Sequence, residues 1–303
     1  MRFSIWPRPD RPWPEVLELA RHAEATGWDG VYFADHFMPN TDDGEPADGP
    51  VLECWGVVAG LAAAVPRVRL GTLVCANSYR HPAVLANIAA TVDQISGGRL
   101  VLGVGAGWQV NEHRAYGIPL GTPKERLDRF EEGCRIVTGL LRERRTTVVA
   151  GPRYQVIDAP CDPKPVGPLP LLVGGGGEKR TMRIAARFAD EWNVWSVPDV
   201  MAHKVEVLRR HCDDLGRDPA DIAVSTQALV FLSDDLAWVD EKRRSSTGRP
   251  ELIGTPAEVA DTIAAYRDAG VDELIVPDWT MGSMPRRKDT LDRFSTEVAT
   301  HFR

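Results

Sequence analysis

The stretch VRLGTLVCANSYRHPAVLANIAATVDQISGGRLVLGVGAGWQVNEHRAYGI, Val68–Ile118, decides the fold. It opens on an apolar run, Val68–Ala76, that stops in Asn77, Ser78, Tyr79 and Arg80. Pro82 then starts a helix. Val84, Leu85, Ile88, Ala89, Val92 and Ile95 recur at three- and four-residue steps, which gives one apolar face. Gly97-Gly98 ends the helix, and a second apolar run, Leu100–Val104, stops in Gly105, Ala106 and Gly107. Strand, helix and strand with no room for a hairpin make a βαβ unit, whose strands are parallel. Both strands end on one edge of the sheet, so the loops Cys75–Arg80 and Gly105–Glu112 face each other there.

Outward from this unit the same alternation repeats. Before it come a strand at Phe3–Trp6, a helix at Pro14–Thr26, a strand at Gly30–Ala34 that ends in Asp35-His36, and an apolar helix at Leu52–Val65. After it come the long amphipathic helix Lys124–Leu141 and an irregular stretch with a small hairpin, TTVVAGPRYQVI. Further strands fall at Leu169–Val173, Glu191–Trp195, Ile222–Leu232 and Glu273–Pro277. Helices follow them at Lys179–Phe188, Val200–Leu215, Ala257–Ala269 and Leu291–Phe302. Thr255-Pro-Ala-Glu258 is a capping box with Pro at the first helical position. Eight strands alternating with eight helices predict one (β/α)8 TIM barrel over residues 1–303, of the α/β class, rather than an open doubly wound sheet. Residues 37–51, 107–121, 145–168 and 233–255 read as lid or insertion segments at its C-terminal face.

With 303 residues, 43% of them hydrophobic, the chain can bury a large core. A net charge of −7 argues against a nucleic-acid or anionic-membrane partner. No apolar run approaches the length of about 18 residues that spans a bilayer, and the N-terminus has no secretory h-region. Five scattered cysteines without C-x-x-C spacing, and no H-E-x-x-H, predict reduced thiols, a cytoplasmic location and no metal site.

A barrel carries its active site at the C-terminal ends of its strands. That rule selects Trp6 to Arg8, Asp35 and His36, Cys75–Arg80, Gly105–Glu112, Gly174–Lys179, Trp195 and Ser196, Phe231 and Leu232, and Asp278 and Trp279 before any chemistry is weighed. The run Gly174, Gly175, Gly176 and Gly177 follows strand five and precedes a helix whose first turn holds Lys179 and Arg180. Free backbone N–H groups at a helix N-terminus suit a phosphate, although the run is not a Walker motif. Gly103-Val-Gly105-Ala-Gly107 fails the dinucleotide fingerprint because Trp108 stands at the third glycine. Small residues there admit a flat ring or make a plain turn. His36 is placed to move a proton, with Asp35 either fixing its orientation or accepting from a ligand hydroxyl. Glu112 reads as an acid or base, or as the partner of Arg80 or Arg114. Trp6, Trp108, Trp195 and Trp279 suggest an aromatic mouth for a flat or apolar substrate.

These residues resemble the bacterial luciferase-like monooxygenase superfamily, within it the branch that uses coenzyme F420, an 8-hydroxy-5-deazaflavin. The resemblance covers nearly the whole chain and is carried by FADHFMP (33–39), LGTLVCANSYRHP (70–82), SGGRLVLGVGAGWQVNE (96–112) and PLLVGGGGEKR (170–180). It implies a non-proline cis peptide at Leu73-Val74, with Cys75 just beyond, backing the cofactor ring. It also implies cofactor contacts from Asp35 and His36, from Gly105, Ala106 and Gly107 and the Asn111 side chain, and phosphate binding at Gly174–Gly177. Similar sugar-phosphate dehydrogenases carry Glu where this chain has Trp108, so a more apolar substrate than glucose 6-phosphate is expected.

The expected activity is hydride transfer between coenzyme F420 and a small organic substrate, with His36 moving the proton and Glu112 as the second catalytic candidate. An FMN-dependent flavin monooxygenase on the same barrel is the alternative, and a non-catalytic cofactor-binding protein a second one. Relatives are usually homodimers, and the apolar helices after strands two and three are the expected interface.

Overall fold

Eight parallel strands close on themselves in the computed structural model, which describes residues 1–149, 151 and 153–303. They are β1 (Arg2–Trp6), β2 (Gly30–Phe33), β3 (Arg69–Thr72), β4 (Leu100–Gly105), β5 (Leu171–Gly174), β6 (Glu191–Asn193), β7 (Ala223–Gln227) and β8 (Glu273–Pro277). Each pairs with the next, and β8 pairs back to β1 through Arg2↔Glu273 to Trp6↔Pro277. The chain is the expected (β/α)8 barrel.

The βαβ unit that opened the reading forms for identifiable reasons. His81 caps the helix Pro82–Ser96 and Pro82 fills its first position, where no backbone donor is needed. Gly97 closes it in the left-handed region at φ 71°, which a residue with a Cβ adopts only with strain. The helices Pro123–Arg142 and Pro256–Asp268 both start on complete capping boxes, Thr122 with Glu125 and Thr255 with Glu258.

Two apolar layers result. Most of the core lies between the barrel and its helices, while Trp6, Tyr32, Ala34, Leu73, Val101, Leu172 and Ile275 pack inside the barrel. The N-terminal end of the barrel is plugged by ions instead. Fully buried Glu273 accepts from Ser4 Oγ at 2.5 Å, Arg69 at 2.9 Å and Arg2 at 3.1 Å, and Glu191 completes the cluster through Arg69.

The structure corrects several boundaries. The seventh strand, read as Ile222–Leu232, is two pieces. Ala223–Gln227 stays in the barrel, and Leu229–Leu232 leaves it to pair in parallel with Glu251–Gly254. The insertion 233–255 contains the strand Glu251–Gly254 and the helix Leu236–Arg244. The insertion 107–121 contains a helix, Val110–Ala115. The closing helix begins at Met284 rather than Leu291 and gives way to π and 3-10 turns after Arg293. The hairpin in 145–168 pairs Thr146–Val148 with Val156–Ala159, while positions 150 and 152 lie outside the described residues. Among the described residues no helix is long and apolar enough to cross a membrane, and the five cysteines are buried and unpaired.

Candidate active site

His36 sits just past β2, with about a quarter of its side chain exposed. Its Nδ1 lies 2.7 Å from Glu112 Oε1, on the helix that follows β4. Glu112 is fully buried and accepts two further donors, the Phe37 N–H at 2.7 Å and the Tyr79 hydroxyl. Burial works to raise the Glu112 carboxyl, but the bonds from His36, Tyr79 and the Phe37 amide outweigh it and hold it below the ordinary carboxylate range. An ionised acceptor at Nδ1 requires the proton to be on Nδ1, which leaves Nε2 as the ring atom through which a proton can be taken up and later released. Neither partner suggested for Glu112 is used. Arg80 binds Asp35 and Glu53, and Arg114 binds Glu45.

Asp35 does not orient His36. Its carboxylate is buried and held by the Arg80 guanidinium through two bonds, at 2.7 and 3.0 Å. Burial pushes this carboxyl up and the Arg80 bonds oppose it. Asn111 is equally committed: its amide nitrogen donates to Pro39 O at 2.8 Å and its oxygen accepts from the Glu112 N–H at 2.9 Å. Gln109 donates to Met38 O at 3.0 Å. These bonds staple the segment after β2 to the helix after β4, and that staple carries His36 onto Glu112. Asp35 and Asn111 are thus both buried and tied into the framework that positions His36 and Glu112.

The floor is the segment after β3. The Leu73-Val74 peptide is cis, at the position the family resemblance indicates. Leu73 is buried inside the barrel, and Cys75 is fully buried beside Cys54 and Asp35. The side chain of Val74 explains the glycines around it. A Cβ on Gly105 would stand 2.9 Å from Val74 Cγ2, and one on Gly174 would stand 2.9 Å from both Val74 methyls. These two positions make room for Val74 first. The reading of Gly105 as a gap for a flat ring misses this contact.

The glycine run leaves β5 with Gly175 at φ 123°. The Gly175 N–H is used on Asn193 O, while those of Gly176 and Gly177 have no acceptor among the described residues. Lys204, on the helix Pro198–Leu215 after β6, donates its ammonium to Gly176 O at 3.0 Å. Arg180, expected to serve the run, is turned away to Asp128 at 2.8 Å. Lys204, which no local motif signals, brings a positive charge to this turn and pairs there with Glu178 at 3.3 Å.

The four tryptophans do not form one wall. Trp6, Trp195 and Trp279 make a cluster at the ends of β1, β6 and β8, with ring centroids 5.0 to 5.9 Å apart. Trp108 is 57% exposed and stands apart from them, edge-on to the His36 ring at 5.7 Å.

A family model described as luciferase-like monooxygenase matches residues 1–249. The chain belongs to the luciferase-like monooxygenase family. Among the relatives of this luciferase-like chain is a protein from Kineococcus radiotolerans named F420-dependent glucose-6-phosphate dehydrogenase. It is 35% identical over 280 residues, covering 89% of this chain and 80% of its own. In fold the chain matches the coenzyme F420-dependent tetrahydromethanopterin reductase of Methanopyrus kandleri, with a TM-score of 0.81, 18% identity, and coverage of 100% and 99% of the two chains. It matches a monooxygenase from Streptomyces bottropensis equally well, with a TM-score of 0.83, 21% identity and full coverage of both.

Proposed function

We propose that this luciferase-like enzyme transfers a hydride between coenzyme F420 and a small organic substrate, and that His36 moves the accompanying proton. The observation that carries the role of His36 is its contact with Glu112: the buried carboxylate lies 2.7 Å from Nδ1, which favours a proton there and leaves Nε2 without a protein partner at the barrel mouth. When bound, the deazaflavin supplies the carbon that gives or takes the hydride.

The residues present suit such a cofactor. Gly176 and Gly177 offer unused N–H groups beside the Lys204 ammonium, the donor set a phosphate needs. A Cβ at Gly176 would stand 2.8 Å from Val194 and 3.4 Å from Lys204 Nζ, so a side chain there would fill this cradle. The Leu73–Cys75 segment supports the ring side of the site, and the short helix holding Glu112 keeps His36 in place. Trp108 and the tryptophan cluster shield the reacting region from water, which strengthens the electrostatic interactions inside it. An exposed indole over His36 favours a more apolar substrate than a sugar phosphate.

The family reading extends to a homodimer in the cytoplasm. Exposed Val84 and Ile95, on the helix after β3, support that helix as part of the interface, and sedimentation at several concentrations tests it. His36→Ala tests the proton role. Turnover should fall by about a hundredfold or more, while F420 affinity, read by absorbance titration, should move by less than about threefold. Unchanged turnover would remove His36 from the chemistry.

A further inference from the structure

The tryptophan cluster has a fourth member that no strand end supplies. Arg249, in the turn before Glu251–Gly254, places its guanidinium carbon 5.2 Å from the ring centres of both Trp195 and Trp279. The stack is the product of the insertion: Leu229–Leu232 leaves the barrel to pair with Glu251–Gly254, and this pairing returns the preceding turn to the mouth. Other arginines near the mouth are satisfied by protein acceptors. Arg80 has Asp35 and Glu53, and Arg126 has Gly107 O. The Arg249 side chain meets no carboxylate or carbonyl among the described residues, although the chain as a whole is acidic. A guanidinium laid on indole faces keeps its N–H edge free, and that edge matches a carboxylate through two parallel bonds.

The cluster also holds unpaired donors. Trp6 is 7% exposed, and its indole N–H has no acceptor, nor has that of Trp279. Trp28 and Trp55 are unpaired as well, but they belong to the outer core, away from the mouth. Three indole rings, two buried N–H groups without acceptors and one exposed guanidinium stacked on Trp195 and Trp279 thus meet at the ends of β1, β6 and β8.

We propose that Arg249 is the substrate-specificity residue of this enzyme, and that the substrate is a flat, apolar acid whose carboxylate pairs with Arg249 while its body lies against the partly exposed indoles of Trp195 and Trp279, which Trp6 backs. The proposal rests on the oxidoreductase reading for the word substrate, and not for the binding itself.

The test is calorimetric titration of the cofactor-loaded and cofactor-free protein with benzoate, trans-cinnamate and 2-naphthoate, each against its uncharged amide. In the wild type at least one acid should bind about tenfold or more tighter than its amide. Arg249→Ala should erase that preference and leave the amide's affinity within about threefold, and Arg249→Lys should restore only part of it, because an ammonium lacks the two-bond fork. Trp6→Phe, which keeps a ring and removes one donor, should weaken acid and amide together. Equal affinity for acids and amides across the panel, no binding of any acid, or a preference that survives in Arg249→Ala would each overturn the proposal. Loss of F420 affinity in Arg249→Ala with the acid preference intact would assign the residue to the cofactor and overturn it too. If the wild type fails to bind F420 while the acid preference holds in the cofactor-free protein, the cofactor reading fails and the carboxylate site stands.

Discussion

Replacing Glu112 by glutamine removes one charge from the centre of the site and almost no volume. The carboxylate serves three donors: His36 Nδ1 and Tyr79 on Oε1, and the Phe37 N–H on Oε2. A glutamine has one accepting oxygen and one donating nitrogen, so one of these donors must face an N–H. With the amide oxygen toward His36, the Phe37 N–H is left buried and unpaired. With it toward Phe37, the amide nitrogen faces His36 Nδ1 and forces the proton to Nε2. Losing the charge-assisted strength of two bonds and leaving one donor unsatisfied costs roughly 2–4 kcal/mol. Relief from burying a charge makes the lower end the better expectation. The direct assay is nitrogen-15 NMR of the imidazole, which needs no substrate. The wild type should show His36 as the Nδ1–H tautomer at neutral pH. Glu112→Gln should show a mixture or the opposite tautomer, together with a lower denaturation midpoint. A wild-type His36 protonated on Nε2 alone, or a tautomer indifferent to Glu112→Gln, would refute the reasoning.

Four further outcomes follow from the structure. Gly103→Ala places a Cβ 1.9 Å from the Thr72 carbonyl, backbone that cannot swing aside, and should cost about 3 kcal/mol or prevent folding. Gly97→Ala meets nothing but keeps φ 71°, so chemical denaturation should show about 1 kcal/mol. Glu273→Ala leaves Arg2 and Ser4 without their buried partner and should cost about 3 kcal/mol or more by urea titration, with little change in F420 affinity. Burial lowers the His113 ring below its ordinary 6.5, while its Nδ1 stays 2.6 Å from Gln109 O. The unfolded chain therefore binds the proton first, and the stability this residue contributes is complete above 6.5 and lost as the pH falls below it. His113→Gln should flatten that part of the stability–pH curve, and an unchanged slope would assign the sensitivity elsewhere.

The barrel was legible because its signals are local: apolar runs of strand length, 3.6-residue periodicity and helix caps such as Thr255–Glu258. The elements missed were those set by distant partners. Leu229–Leu232 reads as a continuation of β7, since nothing within it reveals that Glu251–Gly254 will draw it away. The helix Val110–Ala115 has six residues, too few to show a period. The site divides in the same way. His36, Glu112, the glycine run and the tryptophans could be selected by their place at strand ends. Which of them pair could not, because partner choice depends on side chains brought together from segments far apart in sequence. Asp35 stands next to His36 in the chain yet binds Arg80, and His36 instead meets a residue 76 positions away. Lys204 and Arg249 carry no motif at all and emerge only when the helix after β6 and the turn before Glu251 are placed.

The account depends most on the cofactor, and an equilibrium absorbance titration of the purified chain with F420, and separately with FMN, tests it directly. The account predicts saturable F420 binding at one site per chain, FMN binding weaker by about tenfold or more, and a loss of about tenfold in F420 affinity in Lys204→Ala. Tight FMN binding with no affinity for F420 would contradict it and turn the same barrel into a flavin monooxygenase.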